Sequence, residues 1–100
     1  MEFQASRIEL SADVAFREMS GESVLLDLAS GTYFGLNEVG TRLWTLLSKD
    51  ESLATATAAL LQEFEVPRET LLADVHKIVM EMQSKGLLRI IRDNSPETSK

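Results

Sequence analysis

Cysteine is absent from this 100-residue chain, which excludes a disulfide framework, a thiolate metal site and a cysteine nucleophile. Proline occurs only twice, and no internal repeat or low-complexity block is visible. A single histidine, His76, offers no HxxxH spacing, and the scattered carboxylates form no clustered-acid motif for a metal. No apolar run approaches the ~18 residues of a membrane span. The start Met1-Glu2-Phe3-Gln4 lacks the basic-then-apolar order of a secretory signal. Positive charge is also short, with ten Lys and Arg against sixteen Asp and Glu, a net charge of -6. Residues 1–50 hold eight acids and four bases, and residues 51–100 hold eight and six. Neither half carries the basic face from which a nucleic-acid binder draws most of its affinity. Nucleic acid and anionic membranes are therefore not expected as partners, and a soluble cytoplasmic protein is.

What is present suits one small globular domain. Hydrophobic residues make up 44% and charged residues 26%. At this length folding hides roughly 65% of the extended chain's surface, enough for a core without staples. The expected domain covers residues 1–92, with 93–100 polar enough to form a flexible tail.

The apolar pattern changes period once, near Asn37. Before it, residues 14–19, 23–28 and 32–36 read as three short strands, with Val24, Leu26 and Leu28 sharing a face of the second and Phe34 and Leu36 sharing a face of the third. Ser20-Gly21-Glu22 and Ala29-Ser30-Gly31 supply the turns of an antiparallel meander. Arg7-Ile8-Glu9-Leu10 reads as a further edge strand. After Asn37, an N-cap, Val39, Leu43, Trp44, Leu46 and Leu47 recur at helical spacing to about Ser48. A second helix, capped by Ser52 or Asp50, carries Leu53, Ala56, Leu60, Leu61 and Phe64 and stops before Pro67. A third runs from about Pro67 to Lys85, with Gly86 as C-cap and Leu87 as its hydrophobic contact. Arg89-Ile90-Ile91-Arg92 closes the pattern as a short strand. Three short strands cannot bury their apolar face alone, so the expected fold is α+β: a three-stranded antiparallel sheet followed by a three-helix bundle, winged-helix-like.

The catalytic inventory is poor. His76 has Asp74 two positions before it on the third helix, pointing elsewhere, so no base and orienting partner are paired. Gly31, Gly35 and Gly40 fall across a turn, a strand and a helix start, which is not a phosphate cradle. No enzyme and no cofactor are expected.

Binding remains. At 100° per residue, Leu71, Val75, Ile78 and Met82 centre the apolar stripe of the third helix. Leu72 and Val79 widen it on one shoulder, followed by His76 and Gln83, while Asp74, Glu81 and Lys85 occupy the other. The wider shoulder is expected to wall a groove beside the sheet. Thr32-Tyr33-Phe34-Gly35-Leu36, an edge in a sequential meander, carries neither charge nor proline. An unguarded edge next to an apolar helix shoulder is what strand-addition recognition of an extended peptide requires.

Leu25-Leu26-Asp27-Leu28, Ser30-Gly31-Thr32-Tyr33-Phe34, Leu36-Asn37, Gly40, Leu43-Trp44, Asp74-Val75 and Gly86-Leu87-Leu88 stand in the order seen in the PqqD family. The chain resembles this family over about residues 13–91. The family contains the pyrroloquinoline-quinone biosynthesis protein D and related precursor-peptide recognition elements. The resemblance implies a small, non-catalytic winged-helix-like domain that binds the leader of a ribosomally made precursor peptide and presents it to a modifying enzyme. It further implies that the leader adds to the third strand and lies against the third helix. Carried onto this sequence, those are Thr32, Tyr33, Phe34, Gly35 and Leu36, with Leu72, Val75, His76 and Val79.

Quinone-pathway members tend to have a Pro-Glu-Gly-like turn before the third strand and an Asp-Gly pair after the first helix. This chain has Ala29-Ser30-Gly31 and Ser48-Lys49-Asp50-Glu51. It is more similar to the stand-alone leader-binding proteins of lasso-peptide pathways, which work with a separate leader peptidase. A quinone-pathway chaperone serving a radical enzyme is the alternative. A winged-helix DNA-binding regulator is an alternative of another class, against which Glu69, Asp74 and Glu81 offset Arg68, Lys77 and Lys85. Either a monomer or a weak dimer is expected, since an edge that takes a peptide also fits a second copy.

Overall fold

The computed structural model describes residues 7–49 and 52–91. In chain order it contains β1 (Arg7–Leu10), β2 (Val14–Met19), β3 (Glu22–Asp27), β4 (Thr32–Leu36), α1 (Glu38–Ser48), α2 (Leu53–Glu63), α3 (Arg68–Ser84) and β5 (Leu88–Ile91). The strands form two antiparallel sheets, β2-β3-β4 and β1-β5. The α+β, winged-helix-like arrangement expected from the sequence is present. Asp50, Arg92 and the tail 93–100 lie outside the described residues.

Turn chemistry sets the register of the meander. Ser20 (φ 55) and Gly21 (φ 84) are both left-handed, the geometry of a two-residue hairpin turn matched to strand twist. Met19 consequently pairs with Glu22, and Phe16 with Leu25. The second turn is organised by Asp27, whose carboxylate accepts from the Ala29 amide at 3.1 Å and the Ser30 hydroxyl at 2.9 Å. Gly31 closes it at φ 75, placing Phe34 opposite Leu25 and Leu36 opposite Ser23.

The helices obey their caps. The Asn37 side chain accepts from the Gly40 amide at 2.9 Å, and the Ser52 hydroxyl accepts from Thr55 at 3.0 Å. Pro67 immediately precedes α3 and accepts the Leu71 amide at 3.0 Å. The far end of α3 is a Schellman motif, in which Leu87 N–H donates to Met82 O and Gly86 N–H to Gln83 O. Gly86 sits at φ 76, and Leu87 is buried as the accompanying hydrophobic contact.

That reversal sends β5 back along β1, not into the larger sheet. Leu10 pairs with Leu88, and Arg89 forms an ion pair with Glu9. The 7–10 segment is therefore the partner of the C-terminal strand, not an added edge of the meander. Leu25 and Leu36 from the sheet, Leu43, Trp44 and Leu47 from α1, Leu53 and Leu60 from α2, and Leu71, Val75, Val79 and Met82 from α3 share one core. Arg42 of α1 grips Glu63 of α2 through two 2.9 Å hydrogen bonds. Inside, the Ser23 and Thr41 hydroxyls lie 2.7 Å apart, and Thr41 also donates to the Leu36 carbonyl at 3.4 Å. A buried polar link thus ties the end of β4 to α1, and each hydroxyl has its partner.

Candidate functional site

Strand order leaves β4 as an edge, hydrogen-bonded to β3 on one side only. The opposite edge, β2, carries Arg17 and Glu18, the charges that normally discourage pairing. β4 carries none. Its pleat directs Phe34 and Leu36 inward, half-buried and buried, whereas Tyr33 is 69% exposed on the outer face. An alanine methyl at Gly35 would meet nothing within 4 Å, so the outer face is open there.

A groove of about 270 Å³ runs between the β4 edge and α3. Phe34, Gly35, Leu36 and Asn37 line it from the strand, and Asp74, Lys77, Ile78 and Glu81 from the helix. Lys85, just past the end of α3, places its ammonium 5.8 Å from the centre of the Phe34 ring. The floor is apolar and the helix wall is charged.

The five strand residues expected from the sequence therefore do lie along an open edge beside α3. The four expected helix residues do not line this groove. Val75 and Val79 are wholly buried in the core, Leu72 is half-buried and His76 is exposed, and none of the four borders the β4 cleft. The difference has a geometric cause. The widest apolar shoulder of α3 is wide because it is core, and the shoulder left beside the sheet edge is the polar one bearing Asp74, Glu81 and Lys85. Ile78, placed at the stripe's centre by its spacing, is its half-buried border toward the groove. The missed signal was the pairing of that single apolar border residue with charges at positions three and four away.

The outer face of the sheet is a second feature. Ala15, Arg17, Val24, Leu26, Tyr33 and Gly35 surround a shallow depression of about 700 Å³ there. Met19, 68% exposed, extends the apolar surface at one end. Among the described residues no group of three or more His, Asp or Glu is placed to hold a metal. No helix among them is long and apolar enough to cross a membrane.

Residues 22–88 match the family of Coenzyme PQQ synthesis protein D (PqqD), a span from the start of β3 to the first residue of β5. The chain belongs to the PqqD family. Two solved structures resemble this PqqD-family domain along nearly their whole length. TbiB1 in complex with the TbiA(beta) leader peptide is 31% identical with a TM-score of 0.73, covering 89% of this chain and 99% of that one. A lasso peptide synthetase B1 complexed with the leader peptide is 25% identical with a TM-score of 0.71, covering 83% and 98%. None of the curated proteins matches the chain. The PqqD resemblance, and its lean toward lasso-peptide proteins, thus extends from the sequence motifs to the fold.

Proposed function

We propose that this domain is a non-catalytic module that captures the leader segment of a ribosomally synthesised precursor peptide and presents it to a maturation enzyme. The leader adds as a strand to Thr32–Leu36, its inward side chains entering the groove against α3. The observation that carries this reading is the uncharged β4 edge opening onto an apolar-floored groove. Backbone N–H and C=O groups along the free edge supply affinity, and the groove supplies selection. Both similar solved structures contain a leader peptide and one is a lasso peptide synthetase B1, which supports a lasso-type pathway, with its leader peptidase as the enzyme served. Strand addition at the edge leaves the apolar outer face of the sheet uncovered, and that face is the surface offered to the enzyme. The DNA-binding reading has no comparable support, because acids and bases alternate along the exposed side of α3.

The test is a nuclear magnetic resonance titration with the leader segment of the cognate precursor peptide. Amide shifts are expected to concentrate on residues 32–36 and on Asp74, Ile78 and Glu81. Shifts centred on α1 and α2 would overturn the proposed site. Tight, salt-sensitive binding of random duplex DNA would overturn the function.

A further inference from the structure

The groove has a direction. Lys85, at the C-terminal end of α3, lies over Phe34, whereas the groove continues through Leu36 and Asn37. Asp74 is eleven residues before Lys85, roughly 16 Å along the helix axis, and so belongs to the Asn37 end. α3 therefore runs opposite to β4. A strand that adds antiparallel to β4, continuing the pattern of this sheet, runs in the same direction as α3. The inward positions of that strand lie opposite Leu36 and then, two residues later, opposite Phe34.

The two repeats coincide. Successive inward positions on a strand are about 6.8 Å apart. Asp74 and Ile78 are four residues apart, about 6 Å of rise and only about 40° of rotation. Asp74, at the Leu36–Asn37 end, and Ile78, one turn nearer Phe34, can therefore run in step with two successive inward positions. Lys77 lies about 60° from Asp74 on the side away from Ile78, and lines the groove's outer rim. Among the described residues the ion pairs are Arg42–Glu63 and Arg89–Glu9, so the exposed Asp74 carboxylate has no ion-pair partner there.

We infer that Asp74 and Ile78 read two consecutive inward positions of the bound strand, selecting Lys or Arg followed two residues later by an apolar side chain. This rests on the strand-addition reading above and adds to it a charge, a spacing and a direction. The first side chain pairs with Asp74 at the Leu36 end. The second packs between Ile78 and Phe34. Glu81 and Lys85, one of each sign, lie beyond Ile78 with the Lys85 ammonium over Phe34, and together add no net charge preference at that end.

A random library stands in for the natural leader in the test. Displayed twelve-residue peptides are selected against the full chain and, in parallel, against Asp74→Lys. The expected enrichment on the wild type is a basic residue, one free position and an apolar residue. On Asp74→Lys the basic residue is replaced by Asp or Glu while the apolar position persists. One selected peptide is then titrated at low salt, where exposed charges are least screened. Its affinity should fall about tenfold on Asp74→Lys and recover when its basic residue becomes Glu. An enriched motif identical on the two proteins would overturn the role of Asp74 and leave peptide binding standing. Enrichment of no peptide on either folded protein would overturn strand addition itself.

Discussion

The ammonium of Lys85 sits 5.8 Å from the centre of the Phe34 ring, joining the end of α3 to the middle of the free sheet edge. The contact spans the groove at one end. A cation over an aromatic face at an exposed site contributes about 0.5–1 kcal/mol. Lys85 also lies at a helix C-terminus, where positive charge is favoured whatever the ring does. The pairwise part is isolated by a double-mutant cycle with Lys85→Met, which keeps the stem, and Phe34→Leu, which keeps apolar volume. Urea denaturation should return a coupling of about 0.5 kcal/mol. Strict additivity would mean that the ring and the ammonium are neighbours without interacting.

Gly40 fixes the other end of the groove. A Cβ there would stand 2.9 Å from Leu36 Cδ2 and 3.3 Å from Leu36 Cβ, so α1 approaches the end of β4 through this glycine. Two effects compete in Gly40→Ala. Helix propensity favours alanine by about 1 kcal/mol, whereas overpacking a well-filled site costs about 1–3 kcal/mol. Leu36 is buried and its carbonyl is held by Thr41, which limits how far it can retreat. A net loss near 1 kcal/mol is expected by thermal or chemical denaturation, with amide shifts at Leu36. A gain in stability would show that the leucine rotates away freely.

The Arg42–Glu63 pair gives the acid limb of stability a local contribution. The hydrogen bond from Arg42 holds the Glu63 carboxyl below its ordinary value, burial opposes this in part, and the guanidinium charge adds to the lowering. A depressed folded-state value means stability that is present above the unfolded value and lost as pH falls through the folded one. Both side chains are more than a third exposed, so the contribution is below about 1 kcal/mol and weakens with salt. Glu63→Gln should therefore lower stability slightly at neutral pH and make no difference once the carboxyl is protonated. A constant difference across the acid range would assign the effect to packing instead.

Some of this architecture was legible in the sequence because local chemistry determined it. Ser20-Gly21, Asn37, Ser52 and Gly86 each dictate a turn or a cap from their own backbone and side-chain preferences, and the elements start and stop beside them. The free edge was legible for a related reason, since a meander in chain order must end on its last strand. The β1–β5 sheet was not, because its pairing joins residues some eighty positions apart and depends on where the Schellman turn aims the chain. The side of α3 that borders the cleft was not legible either. Periodicity shows that α3 has an apolar stripe, but not how that stripe is divided between core and cleft. Val75 and Val79 are as apolar as a groove lining should be, yet both are wholly buried in the core that α3 shares with the sheet, α1 and α2.

Two matched positions on α3 separate binding from stability. Leu72 and Ile78 are both half-buried, on opposite shoulders of its apolar stripe, and only Ile78 borders the β4 cleft. Replacing either by glutamine removes a similar apolar contact, so a similar loss of roughly 1–2 kcal/mol in stability is expected. Leader affinity should separate them. Ile78→Gln loses the apolar contact with the residue opposite Phe34, a loss of the order of 1.5–2 kcal/mol when that contact is an anchor, about ten- to thirtyfold in Kd. Leu72→Gln should leave Kd within about twofold. The measurement is isothermal titration with the precursor leader, each variant's fold being checked first by its amide spectrum. Equal losses would mean that affinity follows global stability, not the groove. A larger loss in Leu72→Gln would return the binding wall to the shoulder that also carries His76.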